Sequence, residues 1–159
     1  MEQISPYLQR AVVVAEDDQF LEHPGFNWEA IQKAWRYNHK KRRLIRGAST
    51  ITQQLARNLY LNPHKNFWRK FQELVIAMKL EFFLPKERIL EIYLNVAEWG
   101  PGVFGAEAAS RYHFGRSAHH LSREEAAYLA SILPKPSRMR PRQSTPSTQR
   151  KMEKILNQL

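Results

Sequence analysis

The chain has 159 residues, 43% hydrophobic and 11% aromatic, which suits one domain with an ordinary core and excludes a disordered polyelectrolyte. Lys and Arg number 25 against 15 Asp and Glu, and the net charge of +10 favours polyanions: nucleic acid, an anionic lipid surface or a phosphorylated substrate. Cysteine is absent, which excludes disulfides and thiolate metal sites, and no apolar run approaches the roughly 18 residues that a membrane span needs.

In chain order, MEQISPYLQR lacks the apolar region of a signal peptide, and Ser5-Pro6 reads almost at once as N-cap and first helical position. An upstream anchor or leader is therefore expected to be missing. The first helix is predicted from about Pro6 to Glu22, and a second from about Asn27 to His39, leading into the cationic run KKRRLIR. Gly47-Ala48-Ser49-Thr50 opens a third, ITQQLARNLYL, where Thr50 and Gln53 have the spacing of a capping box. Pro63 stops it.

A long helix is predicted from about Phe67 to Leu84, and Pro85 starts another, KERILEIYLNVAEW, with Ile89, Ile92, Tyr93 and Val96 on one stripe. GPGVFG reads as a glycine-rich loop before the helix AEAASRYHF. Ser122 to Glu125 forms a second capping box, opening EEAAYLASIL, which runs to Pro134. PKPSRMRPRQSTP reads as irregular, and a short terminal helix follows with Met152, Ile155, Leu156 and Leu159 as its apolar face. With no sustained period-two alternation, the fold class is all-α.

Three acids sit behind the run AVVVA, in AEDDQFLEHPGF. In a continuous helix Glu16 lies between Val12 and Phe20, and Asp17 between Val13 and Leu21, so both project along largely apolar stripes. Loss of hydration there raises a carboxyl pKa, the condition for a general acid or base near neutral pH. A solvated helix end is the bland alternative, and the pattern does not separate Glu16 from Asp17. Glu73 follows Arg69 and Lys70 at helical spacing, which reads as a local ion pair or, if buried among cations, as a place where a pyrophosphate or a metal-bound phosphate is neutralised. The Gly47 to Gln54 segment offers small residues and backbone N–H groups at a helix start, a suitable place for an anion, and Arg57 lies four residues from Gln53 on a polar stripe opposite Ile51, Leu55 and Leu59. The histidines do not have metal-ligand spacing, so no protein-ligated zinc is expected.

Together EDDQFLEHPGFN, RGASTITQQLARNLYL, RKFQE, KERILEIYLN and GVFGAEAASRYHFG resemble, in order and spacing, the motifs of the peptidoglycan glycosyltransferases, glycosyltransferase family 51. The resemblance runs from about Ile4 to Pro141, and without a second, penicillin-binding domain it is strongest to the monofunctional members. It implies one catalytic domain over residues 1–159. The implied fold is lysozyme-like, with a larger helical lobe and a smaller membrane-facing lobe around a cleft. It implies polymerisation of lipid II into β-1,4-linked strands, with inversion and release of undecaprenyl pyrophosphate.

By the same resemblance Glu16 is the general base on the acceptor's 4-hydroxyl, and Glu73 is the glutamate near the departing pyrophosphate. Ser49, Thr50, Gln53 and Gln54 shape the donor side, while Arg57, Lys65, Arg69 and Lys70 place cations on the phosphates. No tightly bound cofactor is implied, although a divalent cation, Mg2+ or Mn2+, can reach Glu73 through a phosphate. The implied partners are lipid II, the growing glycan strand, a membrane surface, a moenomycin-type inhibitor and other cell-wall synthases, on the periplasmic face of a bacterial inner membrane. Asn27, Ala48 and His113 depart from the residues usual in the family.

Two rivals remain. A muramidase would use Glu16 as general acid, but a neutral glycan offers no pyrophosphate for the cations. A helical nucleic-acid binder would use KKRRLIR and the basic C-terminal segment; only weak, salt-sensitive binding without sequence preference is expected, and no specific nucleic acid.

Overall fold

The computed structural model describes residues 1–41, 48–61, 67–133 and 145–159, apart from the side chains of Asn38 and Phe67. The end of the run KKRRLIR, Gly47, Pro63, Lys65 and the Pro- and Arg-rich stretch after Leu133 lie outside the described residues. The chain divides into two compact units, one made of Met1–Asp18 with Leu90–Leu159, the other of Gln19–Ile89.

The first unit begins with α1 (Pro6–Glu16), where Pro6 occupies the first turn and Leu8, Ala11 and Val12 form the buried face at helical spacing. Ser5 does not cap α1 through its side chain; its hydroxyl donates to the carbonyl of Leu121 at 3.0 Å. The expected continuation to Glu22 does not occur. Asp17 is the C-cap, with φ −162° and its N–H bonded to the Val13 carbonyl, and the chain leaves the helix there. Phe20 explains the break, because it is buried in the second unit under Lys86 rather than on a further turn of α1.

Beyond the C-terminal part of α5 (Lys86–Val96), Glu98–Gly100 and Val103–Phe104 form a small antiparallel hairpin, β1 and β2, so the helix predicted through Trp99 ends earlier and the expected glycine-rich loop is in part strand. Gly102 supplies its turn at φ +73°, and the pairing is too short to leave an alternating pattern. The buried stripe of α5 is Ile89, Leu90, Tyr93 and Leu94, with Leu90 and Leu94 in the place of the predicted Ile92 and Val96, which are half-buried. Then come α6 (Ala106–Phe114), a 3-10 turn (Ala118–His120), α7 (Arg123–Ile132) and α8 (Pro146–Leu156). Both halves of the Ser122–Glu125 capping box are formed. The Ala-rich α7 is buried from Ala126 to Ile132 and packs on α1 and α8, its small side chains letting the helices close in. Each fully buried leucine, such as Leu8 or Leu129, contributes about 1.5 to 3 kcal/mol. His113 lies inside this unit against Tyr128, its Nε2 3.3 Å from the Trp99 carbonyl, and burial holds its pKa below the usual value.

The second unit holds α2 (Trp28–Lys41), α3 (Ile51–Tyr60), α4 (Phe67–Phe83) and the first turn of α5. Asn27, one of the departures from the family pattern, opens α2: its Oδ1 accepts from the Ala30 N–H at 2.8 Å while its Nδ2 donates to Gln19 Oε1 at 2.8 Å. An aspartate has the first bond but no donor for the second. α3 packs on α4. Along α4 the residues Glu73, Ala77 and Glu81 share one face at four-residue spacing, and the first two are fully buried. Trp68, Phe71, Val75, Met78 and Phe82 form a second stripe, of which Trp68, Phe71, Met78 and Phe82 are exposed.

Candidate active site

Glu73 is the centre of the second unit's polar interior. Its carboxylate is only 1% exposed, and both oxygens are bound: Oε1 accepts from Arg69 Nη1 at 2.7 Å, Oε2 from Lys70 Nζ at 2.9 Å. The local ion pair and the buried acid among cations, posed as alternatives by the sequence, are one arrangement. One carboxylate against two cations leaves a unit of positive charge. Lys70 carries it outward, being half exposed and also bonded to Ser49 Oγ at 3.0 Å and Gln53 Oε1 at 3.3 Å. An ammonium satisfied by neutral oxygens as well as one carboxylate keeps enough field to attract an incoming phosphate.

Ser49 and Gln53 reach Lys70 because α3 begins between them. Thr50 is its N-cap, and Thr50 Oγ1 accepts from the Gln53 N–H at 3.2 Å while donating to the Gly25 carbonyl at 2.7 Å. The predicted capping box supplies this half, and the Gln53 side chain turns to Lys70. On α3, Gln53 of the polar stripe is buried, as is Thr52, beside Ile51 and Leu55, whereas Leu59, expected on the apolar side, is exposed. Tight packing of α3 on α4 displaces the simple amphipathic reading.

The structure thus gathers Ser49, Thr50, Gln53, Arg69, Lys70 and Glu73 around the start of α3. Gln54 follows on α3, and Arg57 lies one turn beyond Gln53, half-buried. Lys65 falls outside the described residues. Glu16 belongs to the first unit, where it is the last residue of α1, half-buried, with its Oε1 shielded from solvent. The apolar neighbour one turn back, Val12, is as expected, but Phe20 is not on that helix. Asp17 is the more buried of the two but serves as the C-cap.

Sequence reasoning missed Thr52, Glu81 and Lys86. Thr52 Oγ1 donates to Glu81 Oε1, which also accepts from Lys86 Nζ at 2.8 Å; Lys86 further donates to the His23 carbonyl at 2.7 Å. A signal existed in the acid and the lysine five residues apart across Pro85, but the proline removes the helical-neighbour reading. Among the described residues no group of three or more His, Asp or Glu side chains is placed to hold a metal ion.

The profile of the family described as Transglycosylase matches residues 1–159. The chain is 54% identical over 158 residues to the biosynthetic peptidoglycan transglycosylase of Nitrosospira multiformis, covering 99% of this chain and 69% of that protein. It is 51% identical to the protein of the same name from Nitrosomonas eutropha, again over 99% of this chain and 65% of the relative. A third, from Bordetella pertussis, is 55% identical over 85% of this chain and 57% of its own length. The chain therefore spans roughly three fifths to two thirds of these relatives.

Proposed function

Because the chain belongs to the transglycosylase family, with its mainly helical, lysozyme-like fold, we propose that it is a peptidoglycan glycosyltransferase that polymerises lipid II into β-1,4-linked glycan strands. The observation that carries this reading is the buried Glu73 carboxylate with its two cations, one reaching out to Ser49 and Gln53. It suits a substrate whose leaving group is a pyrophosphate.

In the reaction Glu16 takes the proton from the acceptor sugar's 4-hydroxyl. The oxygen attacks the donor's anomeric carbon from the face opposite the pyrophosphate, the new C1–O4 bond forms with inversion, and the C1–O bond to phosphate breaks. Undecaprenyl pyrophosphate leaves with the electron pair. Since it departs as an anion already stable in water, it needs cations rather than a second acid, and Lys70, with Arg57 and Lys65, supplies them. Arg69 neutralises Glu73 and holds it in place. Both Glu73 oxygens being taken, Mg2+ or Mn2+ fits only through the substrate's phosphates, and no step is assigned to it.

A lipid-linked substrate implies work at a membrane surface. Among the described residues no helix is long and apolar enough to cross a membrane, but the α4 stripe and the adjacent Phe83 expose aromatic and apolar side chains beside Lys79 over about 20 Å. This supports interfacial contact on the outer face of a bacterial inner membrane. Other cell-wall synthases are natural partners there. The test is gel analysis of products from labelled lipid II, with and without a moenomycin-type phosphoglycolipid. Polymer that the inhibitor suppresses supports the reading; soluble muropeptides from sacculi, with no polymer, would assign a hydrolase instead.

A further inference from the structure

The polar group formed by Thr52, Glu81 and Lys86 lies outside every role assigned above, and we infer that Glu81 and Lys86 are positioning residues for the donor side of the site. This rests on the glycosyltransferase reading and adds to it the part of the protein that fixes the start of α3. Two hydroxyls of that first turn are fastened to different elements: Thr50 donates to the Gly25 carbonyl at 2.7 Å, and Thr52 donates to Glu81 on α4. Lys86 joins the two fastenings. It donates at once to Glu81 Oε1 at 2.8 Å and to the His23 carbonyl at 2.7 Å, and its ammonium stands 4.5 Å from the centre of the Phe20 ring.

The turn from His23 to Gly25, the first turn of α3 and the end of α4 are thereby closed into one hydrogen-bonded ring. Glu81 and Lys86 are both largely buried, with side chains 10% and 18% exposed, so these bonds are little weakened by water. Gly25 is part of the same closure: at φ +85° it brings its carbonyl to Thr50, and a β-carbon there would lie 2.8 Å from Cγ of Glu81. What the ring holds still is the stretch that puts Ser49 and Gln53 on Lys70. Neither Glu81 nor Lys86 contacts Lys70 or Glu73 in any bond described, so their effect runs through α3. Such a shell sets the donor geometry before substrate arrives, and misplacement by about 1 Å costs on the order of a hundredfold.

The experiment compares Glu81→Gln, Lys86→Met, Lys86→Arg and the double variant Glu81→Gln/Lys86→Met with the parent chain. Four quantities are read: lipid II polymerisation, affinity for a fluorescent moenomycin-type probe, thermal midpoint, and hydrogen exchange of the amides from 51 to 54. Glu81→Gln and Lys86→Met should each raise KM and the probe Kd about 10- to 100-fold and speed exchange at those amides, with the unfolding transition still cooperative. Lys86→Arg, able to reach both acceptors, should recover most of the affinity. The double variant should be no worse than the poorer single one, because the pair acts as a unit. Unchanged KM, Kd and exchange would overturn the assignment. So would losses that track the thermal midpoint alone and are not rescued by Lys86→Arg. If the parent chain neither polymerises lipid II nor binds the probe, the function is what fails, and the exchange data still decide whether this pair fixes α3.

Discussion

A methyl group on Gly25 would lie 2.8 Å from Cγ of Glu81, a side chain whose carboxylate is itself fastened to Thr52 and Lys86. Gly25 also has φ +85°, where an L side chain costs about 1 to 2 kcal/mol. Adding an overpacking cost of about 1 to 3 kcal/mol, Gly25→Ala should destabilise the chain by about 2 to 5 kcal/mol in denaturant unfolding. In a Glu81→Ala background the steric part should vanish and the backbone part remain, so the double-mutant cycle should show favourable coupling of at least about 1 kcal/mol.

Glu16→Gln preserves size and hydrogen bonding but removes basicity. Polymerisation should fall by at least about a hundredfold, with inhibitor affinity and thermal midpoint nearly unchanged. Asp17→Asn is the control, since Asp17 is buried and ends α1 through its backbone N–H. It should remain active within a few fold. An inactive but folded Asp17→Asn beside an active Glu16→Gln would move the base by one residue.

Removing Glu73 should separate stability from catalysis. Glu73→Ala leaves Arg69, only 16% exposed, without its carboxylate, and should cost about 3 to 5 kcal/mol in urea unfolding. Replacing both members, Arg69→Met with Glu73→Leu, should restore much of that stability and none of the activity. Lys70→Met should leave the Arg69 pair intact and weaken inhibitor binding about 10- to 100-fold, the scale of one lost bond to a charged group.

Stability should weaken under mild acid because of His113. Burial depresses its pKa in the folded chain, so the unfolded chain takes the proton first. The stability that neutral His113 provides is complete above about pH 6.5 and is lost as pH falls below that, at no more than about 1.4 kcal/mol per pH unit. His113→Phe should flatten the thermal midpoint between about pH 7 and 5. Glu107 acts in a lower window: the bond from the Ala118 N–H, with Ser117 and Arg111 assisting, depresses its carboxyl, so its contribution disappears only under acid below the ordinary carboxylate range. A variant in which both pH windows survive His113→Phe would place the mild-acid transition elsewhere.

Trp68 is 66% exposed and Phe82 81%. Trp68→Ser with Phe82→Ser should therefore leave the thermal midpoint within a few degrees and weaken sedimentation with anionic vesicles about tenfold or more. A large fall in stability would put these rings in packing instead.

The helix α6 could be read to its ends because Gly105 and Gly115 punctuate it, and α7 because its capping box is complete. Glu73 with Arg69 and Lys70 was legible because helical spacing alone makes them neighbours. The end of α1 was not. Nothing local stops a helix at Glu16, and the departure of the chain there is caused by burial of Phe20 in the other unit. Equally hidden were Lys70 with Ser49 and Glu81 with Thr52, pairs 21 and 29 residues apart that only the packing of α3 on α4 creates.

The division of the chain has a consequence for its birth on the ribosome. Gln19–Ile89 is one continuous stretch, so every partner in its core has been synthesised once Ile89 has emerged. α1 must wait much longer, because the helices it packs on, α7 and α8, are the last to be made. Until then Leu8, Ala11 and Val12 have no native cover, and the nascent chain presents them to chaperones or to a nearby lipid surface. Placement of Glu16 is thus among the last events of folding, so the residue proposed as the base is set only when nearly everything else is in place.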